Sequence, residues 1–185
     1  MKQALVAGAL ATFALSQGAS AQSGAGLAAL VPAEPGRTLC FVRTYSSDHM
    51  KSRPRQTVSS IALALKYRRY DPPTTGGYRP FAVGISQRGR RARVSAGGTC
   101  EAHQSGAAGT LATCSVDCDG GGVELVREGA DKLRVRLAFG RLVLGGDCDG
   151  GGKRVTLGQG SDDREFVLSP APVSACAFLK GDLPE

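Results

Sequence analysis

The sequence predicts an all-β domain: an antiparallel sandwich or barrel of about 8–10 strands, joined by Gly-rich hairpins and cross-linked by disulfides. Three observations point there. Apolar and polar residues alternate with period 2 in several segments, the signature of a sheet with one buried face. The chain holds 26 Gly against 9 Pro and no Trp, without low-complexity repeats, which fits many tight turns. All six cysteines lie downstream of a leader-like N-terminus, an even count that reads as a disulfide framework.

The N-terminus opens Met1-Lys2-Gln3, continues with an apolar run from Leu5 to Leu15 and closes with Ala19-Ser20-Ala21 before Gln22. A charged start, an apolar stretch too short to span a bilayer and an Ala-x-Ala site predict a cleaved signal peptide over residues 1–21. A periplasmic or secreted location follows. No Cys stands at the cleavage site for a lipid anchor, and no later run is long and apolar enough to cross a membrane as a helix. Residues 22–36 are small and Gly/Ala-rich, closed by Pro35-Gly36, and are expected to form a flexible leader to one β domain over residues 37–185.

The clearest strands name their buried faces. Ile61, Leu63, Leu65 and Tyr67 alternate with Ser60, Ala62, Ala64 and Lys66; Phe81, Val83 and Ile85 alternate with Ala82, Gly84 and Ser86; Leu133, Val135, Leu137 and Phe139 alternate with Lys132, Arg134, Arg136 and Ala138. Further strands are expected over Leu39–Tyr45, Arg93–Cys100, Thr110–Asp117, Val123–Arg127, Arg141–Leu144, Arg154–Leu157 and Glu165–Ser169. Between them, Tyr45 to Val58 is a polar connection expected to hold a short helical turn.

Six cysteines allow many connectivities, but strand positions rank them. Cys100 and Cys114 flank a small-residue loop and would face each other across a hairpin. Cys118 and Cys148 hold equivalent places in a repeat, Asp117-Cys118-Asp119-Gly120-Gly121-Gly122 and Asp147-Cys148-Asp149-Gly150-Gly151-Gly152. Cys40 and Cys176 would then join the first strand to the chain end. Zinc is disfavoured, because Cys114 and Cys118 are the only close pair and no His follows at ligand spacing.

The pairs Asp117/Asp119 and Asp147/Asp149 resemble the opening of a calcium loop, yet lack a third alternate ligand and a distal Glu. Turn-shaping beside a disulfide is the favoured role. No metal or other cofactor is expected.

Charge is unevenly placed. Arg37 to Gly98 carries thirteen Lys or Arg against two acids, a net of +11, whereas Thr99 to Glu185 carries nine against thirteen, a net of −4. The basic groups are Lys51/Arg53/Arg55, Lys66/Arg68/Arg69 and Arg88/Arg90/Arg91/Arg93, the last at a predicted hairpin tip. Clustered Arg near Tyr suits carboxylate- or phosphate-bearing partners. The expected anion-binding residues are therefore Arg68, Arg69, Arg88, Arg90, Arg91 and Arg93. Nucleic acid is not expected, since no recognition motif accompanies the charge.

The catalytic inventory is thin. Only His49 and His103 exist, Ser46-Ser47-Asp48-His49 sits within a single polar stretch, and no nucleophile elbow or His-Glu-x-x-His occurs. Nothing in the sequence brings Glu101, His103 and the pair Asp162-Asp163 together. The expectation is an exported, non-enzymatic envelope protein that binds an anionic partner (glycan, lipid headgroup or acidic protein surface) through the Arg-rich hairpin. The alternative is a disulfide-framed inhibitor or structural protein with a protein partner.

Overall fold

A computed structural model describes residues 25–103, 109–146, 148–159 and 161–183. The expected signal peptide lies outside the described residues, as does Asp147. The described elements are helix α1 (Ala25–Leu30), β1 (Thr38–Thr44), helix α2 (Ser47–Ser52), β2 (Val58–Lys66), β3 (Arg68–Arg69), β4 (Gly77–Gln87), β5 (Arg93–Ala102) and β6 (Thr110–Val116). The chain continues with β7 (Gly121–Glu128), β8 (Lys132–Leu144), β9 (Val155–Leu157), β10 (Glu165–Ala171) and a 3-10 helix (Val173–Asp182).

The sheet closes. Its strands run β1-β2-β4-β5-β6-β7-β8 with antiparallel neighbours, and β10 pairs both with β8, Leu168 opposite Leu133, and with β1, Val42 opposite Ser169. The fold is thus an eight-stranded barrel rather than a sandwich. The short β3 extends the β2–β4 hairpin, and β9 pairs with the second half of β8.

Eight strands enclose a space that side chains can fill, and here they do. Ile61, Leu63 and Leu65 of β2, Phe81, Val83 and Ile85 of β4, Val123 and Leu125 of β7, Leu133 and Val135 of β8 and Leu168 of β10 all project inward and are buried. Arg134, Arg136 and Glu165 lie on the outer wall, where Arg134 pairs with Glu128 and Glu165, and Arg136 with Glu165 at 2.8 Å. Apolar inside and charged outside is the reverse of a barrel that spans a bilayer. Among the described residues no helix is long and apolar enough to cross a membrane.

The alternation fails at one place. Phe139, expected on the inner face of β8, is 70% exposed. The register with β7 jumps from Val123 opposite Leu137 to Gly121 opposite Leu142, and Gly140 turns the strand with φ 70°. The two strands expected over Lys132–Phe139 and Arg141–Leu144 are therefore one bulged strand, whose first half pairs with β10 and whose second half with β9.

The expected leader, residues 22–36, also needs correction. Ala25–Leu30 is helical and packs on β5 and β6, with Leu27 and Val31 buried in the barrel core. Arg79 Nε donates to the Val31 carbonyl oxygen at 2.9 Å and ties down the exit of the helix. The turn expected within Tyr45 to Val58 is present as α2.

The structure pairs Cys40 with Cys176, Cys100 with Cys114 and Cys118 with Cys148. Three disulfides fit an oxidising compartment outside the cytoplasm. Cys100 stands directly opposite Cys114 on β5 and β6, and both are buried. Cys40–Cys176 fastens the 3-10 helix to the outer wall, where Ala62, Ala64 and Ala82 are buried beneath Cys176 and Leu179. The residues alternating with the inner face are small because a second layer lies on them. A Cβ at Gly84 would come within 2.6 Å of Leu179 and Phe178, so only glycine lets the helix lie this close.

The disulfide that closes this layer spans 136 residues of sequence, the longest loop of the three and so the one that most restricts the unfolded chain. We expect the double variant Cys40→Ala/Cys176→Ala to lose about 4 kcal/mol of stability in guanidinium titrations. An unchanged midpoint would mean that packing on Ala62, Ala64, Ala82 and Gly84 suffices to hold the helix.

Candidate anion-binding site

In a barrel of consecutive antiparallel strands, connections alternate between the two ends. The β1–β2 connection, which contains α2, and the β4–β5 hairpin therefore emerge side by side at one end. The β2–β4 connection, with β3, emerges at the other. This separates the expected site residues. Arg68 and Arg69 pair with Tyr78 and Gly77 at the start of β4, whereas Arg88 follows Gln87 at its end. Ten residues of strand at about 3.3 Å each put the two groups roughly 33 Å apart. They cannot serve one small site, and Arg68 and Arg69 are removed from it.

Around the hairpin, the four arginines differ in role. The Arg88 guanidinium donates from Nη2 to the carbonyl oxygens of Met50 at 2.5 Å and Arg53 at 3.0 Å, and its backbone N–H donates to the Thr57 carbonyl at 2.8 Å. Each of these carbonyls at the end of α2 also accepts one backbone N–H, from Arg53 and Gln56 respectively, and Arg88 adds a charged donor that binds the helix to the hairpin. Arg93 lies over the Phe178 ring at 4.5 Å. Arg90 and Arg91 are exposed at the tip, and neither has a side-chain hydrogen bond or ion pair among the described residues.

Helix α2 completes the site. Ser46 caps it, its hydroxyl oxygen accepting from the His49 N–H at 3.2 Å, and Lys51 reaches Asp48 at 3.3 Å in a largely exposed pair. Such pairs contribute little and exchange readily. Between α2 and the hairpin runs an open groove of about 690 Å³, lined by Lys51, Arg88, Arg90 and Arg91 together with Tyr45 and Met50, and among the described residues no carboxylate lines it. Beside it, Arg53, Arg55 and Arg164 border a smaller recess of about 450 Å³, where Arg55 pairs with Asp162 at 2.7 Å.

A stack of Arg43 over Tyr45, at 5.1 Å, and Tyr45 on His49, at 4.6 Å, makes the floor rigid. Burial pushes the Tyr45 phenol above its usual pKa, against the opposing pull of Arg43. The ring is therefore neutral at physiological pH and adds no negative charge to the groove.

The other singled-out residues have structural partners. Asp163 is fully buried, and its carboxylate accepts from the Thr57 N–H at 2.8 Å, the Thr57 hydroxyl at 2.7 Å and the Val58 N–H at 3.1 Å. It anchors the segment before β10 to the start of β2. His49 Nε2 meets Gln56 at 2.9 Å, while His103 Nδ1 meets Thr113 at 3.3 Å near the opposite end of the barrel.

The first Asp-Cys-Asp-Gly copy is a two-residue hairpin turn. Cys118 and Asp119 have φ of 59° and 57°, and Gly120 N–H donates to the Asp117 carbonyl at 3.2 Å. Among the described residues, no group of three His, Cys, Asp or Glu side chains is placed to hold a metal ion.

The fold and the groove define a closed, disulfide-bonded antiparallel barrel with a cationic surface at one end. Compared with protein-family models, curated proteins and solved structures, the chain matches none.

Lys51 and Arg53 are basic by sequence, but composition does not join them to the hairpin. The signal was available in the parity of the connections, once strands are taken to follow one another around a barrel. We expect Arg88→Ala to destabilise the protein by about 1–3 kcal/mol, since two carbonyls lose a charged donor. Arg90→Ala and Arg91→Ala should each stay within about 0.5 kcal/mol of the parent. Urea titration distinguishes them, and equal effects at all three positions would contradict a structural Arg88 beside a free Arg90 and Arg91.

Proposed function

We propose that this is an exported, non-enzymatic binding protein, periplasmic or secreted, which docks an anionic envelope component on the surface formed by α2 and the β4–β5 hairpin. One observation carries the reading: Lys51, Arg88, Arg90 and Arg91 line a single groove that no carboxylate of the described residues enters. Two of these arginines hold no partner within the described chain, so binding an anion breaks no existing contact. Arginine favours carboxylate or phosphate groups that its planar donors engage in pairs, and Arg88, already fixed by backbone carbonyls, supplies charge at a set position.

The non-enzymatic reading rests on the placement of the titratable groups. The two histidines belong to opposite ends of the barrel, and the Asp163 oxygens are consumed by backbone and hydroxyl donors. A second reading, a protein-binding inhibitor or structural module, is favoured by a different feature. The disulfide Cys118–Cys148 fixes two loops beside a groove of about 890 Å³ that carries both signs of charge, with Asp117, Asp119 and Asp182 near Arg141 and Arg154.

The test is binding of the oxidised chain to immobilised heparin, to anionic phospholipid vesicles and to polyglutamate, at low and high salt. Reversal at Lys51→Glu/Arg90→Glu/Arg91→Glu is compared with Arg68→Glu/Arg69→Glu at the far end. Retention on one of these matrices should weaken steeply with salt and be lost in the first variant but kept in the second. Equal loss in both would reduce the effect to net charge, and salt-resistant capture of a protein partner by both variants would favour the disulfide-framed loops.

A further inference from the structure

The 3-10 helix does not cover its stripe of small residues evenly. Toward β4, Leu179 and Phe178 close over Ala82 and Gly84 so tightly that a Cβ at Gly84 would clash. Between the start of β1, the end of β2 and the helix, beside the Cys40–Cys176 bridge, a recess of about 330 Å³ remains. Its floor is Ala64 with Thr38, and its wall is Val173, Ala177 and Leu183. Val173 is 53% exposed at the mouth. Protein interiors and layer junctions normally fill such gaps with side chains. Here Thr38, Ala64, Ser174 and Ala177 are too short to do so.

Two cations flank the recess. Lys66 ends β2, opposite Thr38 across the β1–β2 ladder, and Lys180 stands in the last turn of the helix. Among the described residues no carboxylate lines the recess, and neither lysine has an ion pair. The disulfide Cys40–Cys176 pins the wall to the strand, so the space is held open before any ligand arrives.

A small, mostly apolar, preformed recess with a few convergent polar groups is the usual form of a small-molecule site. We propose that it binds a single anionic amphiphile: the alkyl chain lies over Ala64 between Val173 and Ala177, and a carboxylate or phosphate head is held by Lys66 and Lys180. A neutral chain would leave both ammonium groups without partners, and a cationic head would be repelled. The site is separate from the α2 and β4–β5 groove and does not depend on its role.

Dodecanoate and dodecyl phosphate, each below its micellar concentration, serve as probes in calorimetric titrations of the oxidised chain, with dodecyltrimethylammonium as the cationic control. The two anionic probes report which head the lysines accept. At least one should saturate a single site, and the control should not bind. Ala177→Phe places a ring in the recess from an exposed position and should abolish binding while circular dichroism and the melting temperature stay at parental values.

Lys66→Ala and Lys180→Ala should each weaken binding by about tenfold. Arg90→Glu/Arg91→Glu should leave it unchanged, which separates this site from the anionic surface. The proposal is overturned by an absence of saturable binding, by equal binding of the cationic control, or by full binding in Ala177→Phe. Loss in Ala177→Phe with no effect of either lysine would overturn the headgroup assignment.

Discussion

Strand β10 is hydrogen-bonded on both sides, to β8 and to β1, and that double pairing fixes nearly everything else in the molecule. A sheet closed this way has no free edge strand among the eight of the barrel. Antiparallel order along the sheet sorts the connections into two groups, one at each end. The β1–β2 and β4–β5 connections become neighbours although they lie far apart in sequence, because antiparallel neighbours alternate direction. Arg88 then completes what this order begins, since its guanidinium bonds both Met50 and Arg53 carbonyls and makes the two loops one surface. Asp163 does the same between the segment before β10 and the start of β2. The first contact joins segments that the β2–β4 ladder makes adjacent, the second joins segments that meet because β10 lies beside β1.

The second layer depends on the same closure. Because β10 ends beside β1, the chain leaves the barrel at the lower end of the wall and has only the outside of β1, β2, β4 and β5 to return over. Ala62, Ala64, Ala82 and Gly84 give it a flat track, and Cys176 reaches Cys40 across a Cα separation of 5.9 Å. The outward positions of β2 and β4 are therefore small where the helix crosses. Where no layer lies on the wall, at β8 and β10, outward positions are charged and paired, as at Arg134 and Glu165.

What could be read from the chain follows from which signals are local. Period-2 alternation gave the inner faces of β2 and β4 residue by residue, because a side chain's face in a strand depends only on its neighbours. The three cysteine pairs follow from strand position in the same way. Helix α1 is obscured because its buried Leu27, and Val31 just beyond its end, sit near Gly and Ala that carry little signal of their own. Phe139 misled because the bulge at Gly140 is a property of pairing with two different partners, which alternation along one strand does not contain. Arg68 and Arg69 misled for a related reason: clustering by composition ignores which end of a barrel a loop occupies. Lys51 belongs to the candidate surface through topology alone.

The lopsided charge of the sequence takes on a spatial meaning once the barrel is closed. Strands β1 to β5 come from the basic stretch and form one side of the wall, and β6 to β10 come from the acidic stretch and form the other. The end that carries α2 and the β4–β5 hairpin is consequently divided. Lys51, Arg88, Arg90 and Arg91 crowd one half, while Asp117 and Asp119 stand on the other, with Arg55 and Asp162 joined at 2.7 Å between the α2 loop and the segment before β10. An anion approaching along the barrel axis meets a field gradient rather than a uniform potential. Near the β6–β7 turn Arg141 and Arg154 stand beside Asp117 and Asp119, so that half carries both signs of charge, whereas the described residues lining the α2 groove carry only positive charge. On the proposed reading, a partner with one acidic edge would be registered against the hairpin, where positive charge is undiluted, rather than against the mixed half.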